Sequence, residues 1–260
     1  MITPFDEVIA DIKKRGYHNH RLENHSDIVS KGILKDLLRL CNVIQVDFEG
    51  NRIKYWLNVP ALGARHRKID LLIGESQQKI SAPDLDRLRI CVENKSVVTA
   101  HRNRDARFDD LNEALQVLHK VKPEAVLVAT VIIGTAERVL NVPDKIKPIL
   151  KDRVKEFENK VVPRLSSGDQ SLWKEFSWAV SINRPTDPKK TLEKFRTLPQ
   201  RQPGHTHIVG YDFVLFIPVY IDNVNPPRVA RSNSLGIDVD RQYQAMLEQI
   251  CKAYQARWHL

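Results

Sequence analysis

Apolar positions along the chain recur with two different periods. In residues 2–15, Phe5, Val8, Ile9 and Ile12 lie three or four apart, the spacing of one helix face. After a polar stretch comes HSDIVSKGILKDLLRLC, where Ile28, Ile33, Leu34, Leu37, Leu38 and Cys41 line one side. This predicts a helix over about 27–41, with Ser26 as N-cap and Asp27 in the first turn, slightly weakened by Gly32. VIQVDFE (43–49) and RIKYWLNV (52–59) are rich in β-branched and aromatic residues and flank Gly50-Asn51, so a β-hairpin is expected. KIDLLIG (68–74) and RLRICVEN (87–94) are further strands. Phe108, Leu111, Leu115 and Leu118 give residues 105–120 the apolar stripe of a helix. PEAVLVATVII (123–133) is a continuous apolar run, typical of a strand covered on both faces.

The second half is more broken. Residues 144–165 read as a helix interrupted near Pro148, and 171–180 as a short helix. PTDPKKTLEKFRTLPQRQPGHTH is basic and proline-rich, which predicts a surface loop or lid. HIVGYDFVLFIPVYID (207–222) is a long strand with a break at Pro218. A helix over 238–258 carries Tyr243, Met246, Leu247, Ile250, Tyr254 and Trp258, a stripe suited to core packing or to a homodimer seam. The order helix, strands, helix, strand implies an α/β fold with a mixed central sheet flanked by helices. The helix at 105–120 is then a crossover between two parallel strands. A single domain over 1–260 is expected, with its core at about 26–133 and additional helices and a strand over 134–260.

Composition narrows the class. Apolar residues make up 42% of the chain, enough for a globular core. No apolar run approaches the roughly 20 residues that span a bilayer. The start, MITPFDEVIADIKKRG, carries Asp6, Glu7 and Asp11 and lacks a signal-peptide pattern. Three cysteines, Cys41, Cys91 and Cys251, lie far apart and suggest neither a disulfide framework nor a zinc site, so a cytoplasmic location is the default. The net charge of +9 makes a polyanionic partner plausible. Neither GxxxxGK nor GxGxxG occurs, so no nucleotide cofactor is expected. The nine histidines, including His18, His20, His25, His205 and His207, lack zinc-site spacing.

One stretch carries candidate chemistry. Strand alternation places Cys91, Glu93 and Lys95 on one face and Ile90 and Val92 on the other. On the preceding strand Asp70 shares a face with Lys68 and Leu72. If the two strands are neighbours, Asp70 and Glu93 approach at the sheet mouth, where two carboxylates need a proton or a cation between them. Their hard oxygens suit Mg²⁺, which uses one or two carboxylates and keeps several waters. Lys95 would then position the attacking water. Acid-x-Lys also occurs at Asp11-Ile-Lys13, Glu158-Asn-Lys160 and Asp187-Pro-Lys189, but only Glu93-Asn94-Lys95 ends an apolar strand preceded by an Asp-bearing strand. Just beyond Lys95, His101, Arg102, Arg104 and Arg107 form a basic patch suited to phosphates or base edges.

Asp70 in KIDLLIG, Glu93 and Lys95 in VENK, and the order of elements over 26–133 resemble the PD-(D/E)XK, or restriction-endonuclease-like, nuclease superfamily. The resemblance implies an αβββαβ core and Mg²⁺-dependent hydrolysis of double-stranded DNA, as in a type II restriction endonuclease acting as a homodimer. Asp70 and Glu93 would bind the metal, with help from the Asn94 backbone carbonyl. Glu23 or Asp27 would match the acid that members often carry on the first core helix. Ile69 stands where the proline of the motif would be. Two alternatives remain: a catalytically inactive DNA-binding or regulatory protein of the same fold, and a nuclease for RNA or for branched or single-stranded DNA. The latter would use stacking platforms, and only 7% of residues are aromatic.

Overall fold

In chain order the elements are helices α1 (Pro4–Arg15), α2 (Glu23–Leu40) and α3 (Asn42–Glu49), followed by strands β1 (Ile53–Pro60), β2 (Lys68–Glu75) and β3 (Leu88–Val97). Helix α4 (Arg104–Val121) leads to strands β4 (Val126–Gly134) and β5 (Arg138–Leu140). Helix α5 (Gln170–Glu175), strand β6 (Val180–Ile182), helix α6 (Asp187–Arg196), strands β7 (Phe213–Tyr220) and β8 (Arg228–Val229), and helix α7 (Val239–Trp258) complete the chain. The computed structural model describes residues 2–15, 23–60, 68–76, 83–98, 101–140, 156, 159–161, 163–164, 167 and 169–259. Most of the expected helix over 144–165 lies outside them; the described positions 156, 159–161 and 163–164 are helical.

Six strands form one mixed sheet in the order β1-β2-β3-β4-β7-β8, and β5 pairs with β6 separately. β1, β2 and β3 run antiparallel in succession, β3, β4 and β7 run parallel, and β8 returns antiparallel. The crossover from β3 through α4 to β4 is therefore the parallel connection that the sequence predicts. Central parallel strands must be covered on both faces, and the β4 sequence VLVATVIIG is apolar enough to allow it. Helices α2 and α3 both pack against α7, which lies on β7 and β4. Helix α4 packs against β3 and α6. One apolar cluster runs from Phe5 in α1 to Tyr254 in α7, with a small satellite of Leu140, Val161, Leu172, Ala179 and Val224. Tyr243, Met246, Leu247, Ile250 and Tyr254 are all buried in the main cluster, so the α7 stripe is occupied within the chain and a dimer seam there is corrected. Among the described residues no helix is long and apolar enough to cross a membrane.

Several local expectations fail for identifiable reasons. Residues 43–49 belong to α3 and not to a strand, so the hairpin partner of β1 is β2. The helix turns Asp47 inward, where it is 1% exposed. There it accepts from Arg52 Nε at 2.6 Å, Arg89 Nη1 at 2.8 Å and Tyr254 OH at 2.5 Å, and lies 2.9 Å from His259 Nε2. Those long-range partners outweigh the local β propensity. Arg89 reaches them where the β2–β3 register shifts between Ile73 and Gly74. Residues 187–196 form α6 instead of a lid. Pro188 sits in the first turn, where its missing N–H costs nothing, and Leu192 and Phe195 are buried. Phe195 meets Phe108 edge-on with ring centroids 5.8 Å apart. Pro218 lies inside β7 opposite Ile133 without ending the strand. Gly32 is more than a weak point in α2, because a Cβ there would lie 2.5 Å from Pro4 Cγ. It is what lets α1 approach.

The cysteine expectation is also corrected. Cys41, at the N-cap of α3, is disulfide-bonded to Cys251 of α7, across 210 residues, with Cα atoms 5.6 Å apart. Sequence distance concealed the pairing, and cysteine usage no longer argues for a reducing compartment. Cys91 is free and buried, and burial foremost, with Glu93 nearby, pushes its thiol well above the ordinary range. Two outcomes are expected. Denatured but unreduced protein should titrate about one thiol, rising to three after reduction, given the three cysteines. Reduction, or Cys251→Ala, should lower unfolding stability by about 2–4 kcal/mol in urea titrations.

Candidate functional site

The candidate site forms where β2 and β3 part. Their paired register runs through Ile73↔Ile90 and Leu72↔Cys91 to Leu71↔Val92, where it ends. At that point the ladder is completed by a side chain: the Asn94 backbone N–H donates to Asp70 Oδ2 at 2.6 Å. The Asp70 carboxylate therefore meets the backbone amide that joins Glu93 to Asn94. Its other oxygen, Oδ1, accepts from the Ser26 hydroxyl of α2 at 2.6 Å.

Asn94 turns toward α2. Its Nδ2 donates to Ser26 Oγ at 3.0 Å and to Ser30 Oγ at 3.1 Å, and its Oδ1 accepts from Thr130 Oγ1 of β4 at 2.7 Å. Alternation along β3 sends Glu93 and Lys95 to the opposite side. Lys95 Nζ donates to Glu93 Oε2 at 2.8 Å. The Glu93 side chain is 2% exposed and that of Lys95 16%, so this ion pair is largely withdrawn from water. A buried carboxylate requires a partner of opposite charge, and here the ammonium supplies it. Asp70 is thus tied to the Asn94 backbone N–H and to Ser26 of α2, and the Glu93–Lys95 ion pair lies across β3 from the Asn94 side chain.

The outlying predicted residues fare unevenly. Asp27 lies on α2 beside Ser26 but accepts a hydrogen bond from Asn58 Nδ2 of β1. Glu23 begins α2, and its side chain is outside the described ones. Ser26 was expected to cap the helix. Because α2 starts three residues earlier, Ser26 sits inside it, and its hydroxyl serves Asp70 instead. His101 is corrected as a DNA contact. It is 3% exposed, with Nδ1 2.6 Å from Thr191 Oγ1 and Nε2 3.0 Å from the Gly134 carbonyl, so both ring nitrogens are engaged inside the fold. Arg104 lies 3.5 Å from Asp105, and the exposed Arg107 lies 3.1 Å from Asp110. Arg102 is in the turn before α4, with its side chain outside the described ones. The sequence reading missed Ser26, Ser30 and Thr130 as site residues. Small hydroxyls at helical and strand positions carry no signal until the elements that bear them are packed together.

The donor set bears on which ion would fit. Among the described residues no group of three or more His, Cys, Asp or Glu side chains could hold a metal. Asp70 and Glu93 each offer hard carboxylate oxygens, the donor type Mg²⁺ takes, with most of its coordination left to water and substrate. No protein-family model, curated protein or solved structure matches the chain.

Burial pulls the His101 imidazole below its ordinary value of 6.5, against the Gly134 carbonyl, which favours the proton. The unfolded chain therefore binds this proton more readily than the native state does, and stability falls as pH drops below about 6.5 toward the lower folded value. Urea titrations between pH 8 and pH 5 are expected to show wild type losing stability faster than His101→Gln over that window. Parallel curves would mean that His101 is not buried neutral.

Proposed function

We propose that this chain is a Mg²⁺-dependent endonuclease of the restriction-endonuclease-like type, acting on double-stranded DNA. The observation that carries the reading is the meeting of Asp70 with the Glu93-Asn94-Lys95 segment where β2 and β3 part. The order α2, α3, β1, β2, β3, α4, β4, one helix more than an αβββαβ core, supports it, because it sets an acid-bearing strand beside an acid-x-Lys strand. The net charge of +9 adds an electrostatic preference for a polyanion.

The residues divide the work. Asp70 and Glu93 would hold the divalent ion, with the Asn94 carbonyl as a further oxygen donor. When bound, that ion would neutralise charge developing on the scissile phosphate and acidify a water. Lys95 hydrogen-bonds to Glu93. Its ammonium would orient a water and stabilise negative charge on the phosphate. Arg102, Arg104 and Arg107, at the start of α4, hold the DNA backbone; the Arg104 and Arg107 pairs with Asp105 and Asp110 are partly or fully exposed and cost little to exchange for phosphates. The stripe of α7 is spent on the core, so a homodimer cutting both strands would use another surface.

A second reading has a specific observation behind it. Both Asp70 oxygens already accept protein hydrogen bonds, and Lys95 already pairs with Glu93, as in a site that keeps the fold and binds DNA without cutting. A cleavage assay separates the two. Supercoiled and linear duplex DNA incubated with Mg²⁺ should be cut by wild type, whereas Lys95→Ala should cut about 10²–10⁴-fold more slowly and Asp70→Ala should be inactive. Metal-independent, salt-sensitive DNA binding with no nicking would establish the second reading instead.

A further inference from the structure

We propose that Ser26 and Asn94 are positioning residues that set the Asp70 carboxylate for the divalent ion; this deepens the nuclease reading and rests on it. Ser26 lies on α2, Asn94 on β3 and Thr130 on β4, and their polar atoms form one directed series. Thr130 Oγ1 donates to Asn94 Oδ1 at 2.7 Å. That contact assigns the amide, because the opposite end must then present its NH₂. Nδ2 donates to both serine oxygens, at 3.0 Å for Ser26 and 3.1 Å for Ser30. An NH₂ group cannot accept, so Ser26 keeps its own hydrogen for Asp70 Oδ1, which it reaches at 2.6 Å. Asn94 acts on the other oxygen as well, through its backbone N–H to Oδ2 at 2.6 Å.

Each Asp70 oxygen thus accepts one hydrogen bond from the protein and retains a lone-pair direction for a cation. Outer hydrogen bonds of this kind orient a ligating carboxylate, and losing one typically weakens metal binding by roughly 10–100-fold. The assignment also gives the middle residue of Glu93-Asn94-Lys95 a task. Leucine or valine there would pack against α2 equally well, but would leave the Ser26 hydrogen without a fixed direction. Burial makes the series stiff: Ser30 and Thr130 are 0% exposed.

The test is Mn²⁺ titration of the full chain, with free Mn²⁺ read by electron paramagnetic resonance, so that no turnover is needed. The series is wild type, Asp70→Ala, Ser26→Ala and Ser26→Thr. Alanine is a good helix former, so Ser26→Ala leaves α2 intact. Asp70→Ala should abolish the wild-type site. Ser26→Ala should raise the Mn²⁺ dissociation constant by roughly 10–100-fold, and Ser26→Thr, which restores a hydroxyl, should return it close to wild type. Should Ser26→Ala prove too unstable to purify, Asn94→Ala is expected to show a rise in the same direction. Wild-type affinity in Ser26→Ala or Asn94→Ala, alongside loss in Asp70→Ala, would overturn the positioning role and leave the metal site standing. Equal binding in wild type and Asp70→Ala would overturn the metal site itself, and this inference with it.

Discussion

Strand β3 has to satisfy two ladders of opposite sense, and the rest of the molecule is arranged around that demand. On one side it runs antiparallel to β2, on the other parallel to β4. The parallel pairing extends to Val97↔Ile133, whereas the antiparallel pairing stops at Leu71↔Val92. Beyond that point β3 is held along one edge only. The opened edge exposes backbone donors, and one of them, the Asn94 N–H, is met by the Asp70 side chain. A polar pocket at the end of an otherwise apolar sheet follows from this mismatch in ladder length.

The two ends of β3 are secured differently. At its start, the register shift lets Arg89 leave the sheet for Asp47, and its guanidinium lies 5.5 Å from the Trp258 ring centroid. Burial alone would raise the Asp47 carboxyl, but hydrogen bonds from Tyr254, His259 and Arg52 outweigh it and hold it at about 2. At the far end Asn94 is tied to α2 and β4 through hydroxyls. Helix α2 links the two regions. Its N-terminal half carries Ser26 and Ser30, Asp36 accepts from Tyr243 of α7 at 2.8 Å, and Cys41 just past its end is crosslinked to Cys251. Secured in this way, the helix can present a hydroxyl to Asp70 with little freedom to drift.

Much of the frame could be read from the residues. The apolar runs of β2, β3 and β4 and the stripe of α4 had to pair and stack as they do, because a buried strand and its crossover helix leave few other arrangements. Asp70 and the Glu93-Lys95 pair could be singled out because charged groups at the end of an apolar strand are out of keeping with it. Residues 43–49 and 187–196 misled for opposite reasons. The first have strand-like composition but turn Asp47 toward partners more than 40 positions away. The second have loop-like composition but use Pro188 to start a helix and Phe195 to anchor it.

What the chain determined unaided is therefore the alternation and spacing of its apolar residues, and with them the α/β class, the succession of β2, β3 and β4 and the position of the odd charges. Those depend on neighbours a few residues apart. The Cys41–Cys251 crosslink, the inward turn of His101 and the Ser26–Asn94–Thr130 series needed the folded molecule. Each joins groups whose separation in sequence says nothing about their distance in space, and a hydroxyl, a thiol or an imidazole declares its task only when its partner arrives.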